Sequence, residues 1–396
     1  MLDNKIITIM NGKERIQKTL NHQEPDRIPY DLSGTTVTAI TKNAYQKAMA
    51  FRGLSTDYNP ELVDPIQQII TPTEENLIQL KSDTRRIGAT RILQYEKNKI
   101  VDGDTVTVYD FYGCKWIYQQ GKDIYFHMVS SPLDGCENIS NHLEKLPRPD
   151  WSSYTIDLEE CMNRQIKMVG DFCGIADRNT AGFTENSLRI RGYENWFLET
   201  LVDPEGVDAL FEIILDDKIK YWDAIIDWAI RTGNEQKIQV ISECDDLGAQ
   251  DATILEPDML RATVIPRMKR LFTHVKKRLP HVKVFLHCCG SIRPIMPDLI
   301  DAGVDILNPV QFTAKNMELK GLKKDFGKDL TFWGGGVDTQ STLNKGKPEQ
   351  VKDEVKRIID IMAPGGGFVF APVHNVQEDV PPENFWAMWD ALNEYK

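Results

Sequence analysis

The stretch Val282–Gln311, VKVFLHCCGSIRPIMPDLIDAGVDILNPVQ, decides the reading of this chain. Val282, Val284, Phe285 and Leu286 form a short apolar run of the length and β-branched or aromatic character of a buried parallel strand, and the run stops at His287-Cys288-Cys289-Gly290. A helical segment over 292–302 follows, with Gly303 as its stop signal, and then a second buried strand over 304–307 ending at Asn308-Pro309. This is one βαβ unit. In parallel α/β folds the carboxyl ends of the strands carry the chemistry, and that is where His287 and Cys289 fall. Alternate residues of an extended segment point the same way, so the imidazole and the thiol can converge on one ion, while Cys288 points away into packing. A buried thiol and a hydrogen-bonded histidine would fit the same pattern without a metal.

Working outward, the pattern repeats toward the C-terminus. Strand-like runs at 169–176, 238–244, 330–335 and 368–371 alternate with helical periodicity at 158–168, 195–201, 204–228, 257–277, 348–362 and 382–394. Successive βα steps predict a parallel sheet with right-handed crossovers. With an earlier strand at 28–32, behind a helix over 11–20, the economical architecture is an α/β fold of the (β/α)8 TIM-barrel type, one domain over 1–396. Residues 91–131 break the rhythm. They alternate, are rich in Tyr, Val, Ile and Thr, and carry an Asp102-Gly103 turn, which predicts an antiparallel β insertion in the N-terminal third. Its aromatics, Tyr109, Phe111, Tyr112, Trp116 and Tyr118, either pack the small sheet onto the barrel or line a substrate mouth.

Composition sets the outer bounds. A chain of 396 residues, 41% hydrophobic and 27% charged, is long enough for one large core. A net charge of -12 without a basic tract argues against nucleic acid or an anionic membrane as partner. The seven cysteines are odd in number and scattered, which fits free thiols in a reducing cytoplasm, and neither a signal sequence nor a run of membrane-spanning length is seen. The tracts Gly334–Gly336 and Gly365–Gly367 lack the downstream partners of a nucleotide-binding loop.

Aligning the strand ends collects a polar rim: Asp31, Glu243 with Asp245 and Asp246, His287 with Cys289, Asn308, Gln311, Asp338 and His374-Asn375. The three carboxylates of ECDDLGAQ (243–250) suit acid/base work or substrate anchoring, because clustered carboxylates raise one another's pKa; a solvated loop or a helix cap explains Asp245 and Asp246 equally. His374, after the run ending at Ala371, is a ligand, a proton donor or a satisfied structural group. Ser33-Gly34-Thr35-Thr36 either lets a ligand approach the backbone or caps a helix.

The segments GKERIQKTLNHQEPDRIPYDLSG, ECDDLGAQ, FLHCCG, AGVDILNPVQ, GGGVDTQSTLNKGKPEQV and APGGGFVFAPVHNVQEDVPPEN, in this order and spacing, resemble the uroporphyrinogen decarboxylase superfamily over essentially the whole chain. Within it the sequence looks like the corrinoid-dependent methyltransferase branch: HCCG matches the His-x-Cys zinc motif of those enzymes at His287 and Cys289, and the N-terminal arginine segment with which decarboxylases grip a tetrapyrrole is not visible. The resemblance implies a barrel, zinc, and transfer of a methyl group between a small methyl donor or acceptor and a separate corrinoid carrier protein, since no Asp-x-His-x-x-Gly cobalamin motif occurs here.

The resemblance is incomplete at two positions. Thiol-activating members add an acidic ligand and a C-terminal cysteine, where this chain has Gln311 and the Gly365–Gly367 tract. Either His374 and Glu243 complete the zinc set with His287 and Cys289, or the metal is lost. One thiolate leaves an ion more electrophilic than two, which suits polarising a methyl ether such as that of a methoxylated aromatic undergoing O-demethylation. In that reading Glu243, Asp245 and His374 are catalytic, and Asp31, Asp246, Asn308 and Gln311 bind substrate. The alternatives are a decarboxylase-like lyase, with Asp31 or Asp245 as proton donor, and a barrel without catalysis.

Overall fold

The computed structural model describes residues 9–56, 60, 62–88 and 98–395. Its spine is a parallel sheet of seven strands: β4 (Thr84–Gly88), β9 (Cys173–Asp177), β10 (Ile238–Cys244), β11 (Lys283–His287), β12 (Ile306–Asn308), β13 (Thr331–Trp333) and β14 (Phe368–Val369). They lie side by side in sequence order, as right-handed crossovers require. The eighth position is filled by residues 29–31. The Phe370 N–H donates to the Pro29 carbonyl at 2.8 Å, the Asp31 N–H donates to the Phe370 carbonyl at 3.0 Å, and on the other side the Asp83 N–H donates to the Tyr30 carbonyl at 2.8 Å. The expected strand over 28–32 is thus a single bridge at Tyr30. Pro29 lacks a donor and Ser33 turns into the left-handed region at φ 66°, so no longer ladder can form.

Strand parity divides the core in two. Cys173, Ile175, Val240, Phe285, Ile306, Trp333 and Val369 point inward and form a separate cluster with Ile16 and Leu20 of the helix Gly12–Leu20, which plugs the barrel from below. Residues of opposite parity, such as Ala176, Ile241, Leu286 and Leu307, belong to the larger cluster under the outer helices. The first helix is set by Asn11, whose side chain accepts from the Glu14 N–H while Glu14 answers to the Asn11 N–H, a capping box.

The helices expected over 348–362 and 382–394 form over those residues. The one expected over 257–277 is broken at Thr263 into Pro257–Ala262 and Val264–Arg278, because Pro266 can neither donate back nor tolerate the preceding turn. The helix expected over 292–302 starts as a 3-10 turn, Arg293–Ile295, before Met296–Asp301, again with prolines at 294 and 297. The insertion is a four-stranded antiparallel sheet of β5 (Ile100–Asp102), β6 (Thr105–Tyr109), β7 (Lys115–Gln119) and β8 (His127–Ser130); the expected residues 91–97 lie outside the described residues. Phe111 packs on Trp151 and Tyr154 and so attaches the insertion to the main domain, while Tyr118 stacks on Phe126 within the insertion and Trp116 is buried. A second antiparallel sheet, of β1 (Ile40–Thr41), β2 (Leu62–Asp64) and β3 (Ile69–Ile70), was not foreseen. Among the described residues no helix is long and apolar enough to cross a membrane.

Asp31, expected to bind substrate, is instead part of the closure. It is fully buried, Oδ1 accepts from the Gly34 N–H at 2.8 Å and Thr84 Oγ1 at 2.6 Å, and Oδ2 accepts from Trp333 Nε1 at 2.8 Å. The side chain joins the bridge segment to β4 on one side and to β13 across the barrel. Asp31→Ala leaves three buried donors unpaired and is expected to cost roughly 3–5 kcal/mol in urea unfolding. A loss under about 1 kcal/mol, within the range of an ordinary neutral hydrogen bond, would contradict this role.

Candidate metal centre

Above the apolar plug the inward positions turn polar. Residues paired across the strands share a side of the sheet: Ser242 lies beside Asp177, Cys244 beside His287, and His287 beside Asn308. The sheet therefore carries a ring of donors and acceptors at its carboxyl end.

His287 is held at one nitrogen. Asn308 donates through Nδ2 to the Trp333 carbonyl at 2.8 Å, which fixes its amide and makes Oδ1 an acceptor. His287 Nδ1 lies 2.6 Å from that oxygen and so must carry the proton. Nε2 is left with its lone pair facing Cys289 Sγ at 3.5 Å. The His374 ring approaches from the end of β14, 5.5 Å from the His287 ring between centroids. One ligand atom from each of His287, Cys289 and His374 lies within 4.8 Å of the others. Asn375 anchors this last turn, accepting from the Ala39 N–H at 2.9 Å and donating to Gln67 Oε1 at 3.0 Å.

The loop that carries Cys289 is equally constrained. The Gly290 N–H donates to Gln311 Oε1 at 2.8 Å, and Gln311 Nε2 donates to Gln250 Oε1 at 3.2 Å. Gly290 has φ 84°, and a Cβ there would meet the Gly248 carbonyl carbon at 2.5 Å, so only glycine lets the loop lie against residue 248. Gln311 and Asn308, expected to contact substrate, are positioning residues for Cys289 and His287.

The protonation states of the donors suit ligation. Burial lowers both histidines, His287 well below the ordinary range and His374 to about 4; the His374 ring acts further on His287, and the Arg178 charge on both. Both imidazoles are neutral near pH 7, the form that ligates. Burial, with the Asp246 and Glu185 charges, pushes the Cys289 thiol well up, so its thiolate needs a positive partner. Adjacent donors around a tetrahedral zinc lie about 3.4–3.6 Å apart, given bonds of about 2.1 Å to nitrogen and 2.3 Å to sulfur. The His287–Cys289 spacing already has that value. Two imidazoles and one thiolate fit zinc, and three protein donors with one exchangeable position is the catalytic pattern.

Two acids placed at this centre by the sequence belong elsewhere. Glu243 stands outside the group: one oxygen takes Lys218 Nζ at 2.6 Å and the other takes Trp222 Nε1 at 2.7 Å. Asp245 is fully buried and accepts the Thr184 and Glu185 N–H groups at 3.0 and 3.1 Å, capping the helix Phe183–Arg191. Burial pushes its carboxyl up to about 7 against those two donors. Asp246 does reach the site, its Oδ1 3.4 Å from the Cys289 N–H, and burial with the Glu185 charge pushes it up to about 6. His374 also lines a cavity of about 450 Å³ with Gln67, Gln340, Asn375, Ile124 and Tyr125, the last two from the insertion. The sequence reading missed Arg178, Ser242 and Tyr125. Arg178 directly follows an apolar strand, the same signal that marks His287.

Residues 179–395 match the uroporphyrinogen decarboxylase (URO-D) family. The methylcobamide:CoM methyltransferase MtaA of Methanosarcina barkeri is 26% identical over 212 residues, covering 52% of this chain and 54% of that protein. A methionine synthase of Methanothermobacter thermautotrophicus is 32% identical over 120 residues, 30% of this chain and 37% of that one. The chain thus matches about half, or less, of the length of these relatives. A solved methyltransferase from Methanosarcina mazei superposes with a TM-score of 0.64 at 17% identity, over 98% of this chain and 99% of that chain, and so shares the fold.

Asn308→Leu removes the acceptor that orients His287 while keeping a side chain branched at Cγ. It is expected to weaken zinc binding by about 10–100-fold in a chelator competition, with the far-ultraviolet circular dichroism retained. Unchanged affinity would show that His287 is oriented by something else.

Proposed function

The chain belongs to the URO-D family, and from that premise we propose that it is a methyltransferase that moves a methyl group between a small methylated substrate and a corrinoid carried by a partner protein. The observation that carries this reading is the convergence of His287, Cys289 and His374. MtaA, named as a methylcobamide:CoM methyltransferase, and the methionine synthase support it. His287, Cys289 and His374 would hold zinc, and bound there zinc supplies Lewis acidity to the heteroatom that gives up or accepts the methyl group.

The remaining work falls to the chain's own residues. Asn308 keeps the proton of His287 on Nδ1, so Nε2 stays available as a ligand. Gln311 and Gly290 hold Cys289 over the barrel axis. Asp246, pushed up to about 6, accepts from the Cys289 N–H through Oδ1 and, mostly ionised at pH 7, is suited to take a proton from the heteroatom that accepts the methyl group. The cavity beside His374 admits the substrate between the barrel and the insertion. One thiolate among the three donors neutralises less of the charge of a divalent ion than two would, which favours an ether oxygen and hence a methoxylated aromatic as methyl donor. The lyase reading needs a free acid at Asp31 or Asp245, and both are fully engaged by hydrogen bonds.

The test is methyl transfer from methoxylated aromatics to cob(I)alamin by the zinc-loaded protein, followed by the absorbance of methylcobalamin. The expected result is transfer that falls by about 100-fold or more in His287→Ala and Cys289→Ser, as loss of a metal ligand implies. Absence of transfer to or from cobalamin with any methyl ether or thiol would overturn the proposal, as would transfer unaffected by chelation.

A further inference from the structure

Beside the candidate metal centre lies a buried arginine whose hydrogen-bond donors the protein leaves idle. Arg178 follows β9 and is 5% exposed. Its Nη1 is 3.5 Å from Asp177 Oδ1, beyond good hydrogen-bonding geometry, and neither Nε nor Nη1 makes a hydrogen bond. Among the described residues Asp177 is its one carboxylate neighbour at ion-pair distance, and it is shared: Asp177 Oδ2 lies 3.9 Å from Arg86 Nη1 and accepts the Thr36 N–H at 2.8 Å. Asp177 is thus divided between its neighbours, and the Glu185 and Glu243 charges act on Arg178 from beyond ion-pair distance. On the neighbouring strand Ser242, in register with Asp177, has a buried Oγ that also makes no hydrogen bond.

The other cations nearby are differently placed. Lys218 is paired with Glu243 and Arg189 with Glu185. A buried guanidinium with idle donors is expensive, and the group that best relieves it is an oxyanion, which accepts charge-assisted hydrogen bonds from the fork. The Arg178 charge acts on both His287 and His374, which places it at the same centre. We propose that Arg178, aided by Ser242 Oγ, binds a carboxylate-type oxyanion on the small substrate, so that the substrate is anchored by its anionic end while its heteroatom faces His287, Cys289 and His374. This rests on the reading of that centre as the methyl-transfer site. It assigns an acidic substrate to a protein whose net charge is -12, so long-range electrostatics alone would disfavour the binding.

The test compares pairs of probes that differ only in that end. Zinc-loaded wild type, Arg178→Gln and Arg178→Lys are titrated calorimetrically with 3-methoxybenzoate against 3-methoxybenzyl alcohol, and with 3-mercaptopropionate against 3-mercapto-1-propanol. Wild type is expected to bind at least one anion about tenfold or more tighter than its neutral counterpart, the scale of a hydrogen bond to a charged group. Arg178→Gln is expected to lose that preference with its zinc content unchanged, and Arg178→Lys to keep part of it. Equal or weaker binding of both anions by wild type, no binding of either, or a preference that survives in Arg178→Gln would overturn the proposal. Should Arg178→Gln not fold, the wild-type comparison decides alone. A charge preference without methyl transfer would sink the functional reading and spare the subsite; transfer without a preference would do the reverse.

Discussion

On strands that run parallel and in register, every second side chain enters the barrel, and the rest of this molecule is built on that constraint. It sends Phe285 into the plug and His287 into the polar ring two residues later, and it sends Ile306 and Asn308 to the same two levels on the next strand. A one-residue slip of β12 would take Asn308 off the axis and strip His287 of the acceptor that sets its tautomer. The same alternation brings Trp333 inward, where its indole donates to Asp31 while its carbonyl accepts from Asn308. Ring closure and ligand orientation therefore share a residue, and stability and the candidate chemistry are coupled through it.

Much of this was legible in the sequence, because it depends on local pattern. The apolar run that stops at His287-Cys288-Cys289-Gly290, the helical periods at 348–362 and 382–394, and the alternation of the insertion all follow from side-chain spacing alone. What was not legible is which polar groups satisfy one another across the fold. Glu243 reads as an available ligand until Lys218 and Trp222 arrive from one face of the helix Pro204–Thr232. Asp31 reads as a rim acid until Thr84 and Trp333, 53 and 302 residues away, take its oxygens. Asp245 reads as an acid/base group until a helix N-terminus from the preceding βα unit settles on it. The three share a physical reason: a buried carboxylate must be paired, and the partner is distant in sequence.

The corrections sharpen the electrostatic picture of the mouth. With Glu243 neutralised by Lys218 and Asp245 tied to backbone donors, the acidic character of ECDDLGAQ is mostly spent inside the fold, and Asp246 is the carboxyl of that segment left at the centre. Two neutral imidazoles, one thiol awaiting a cation, and an arginine with idle donors then define a site shaped for a positive ion and a negative ligand end. That combination distinguishes the mouth from the rest of an acidic surface.

Zinc content of the purified protein, determined by elemental analysis for wild type, Cys289→Ser, His374→Ala and Glu243→Gln, tests the central claim most directly. The account predicts about one zinc per chain in wild type and in Glu243→Gln, and loss in the other two, as a site of three protein donors requires. No zinc in folded wild type after metal addition, or loss in Glu243→Gln as complete as in Cys289→Ser, would contradict it.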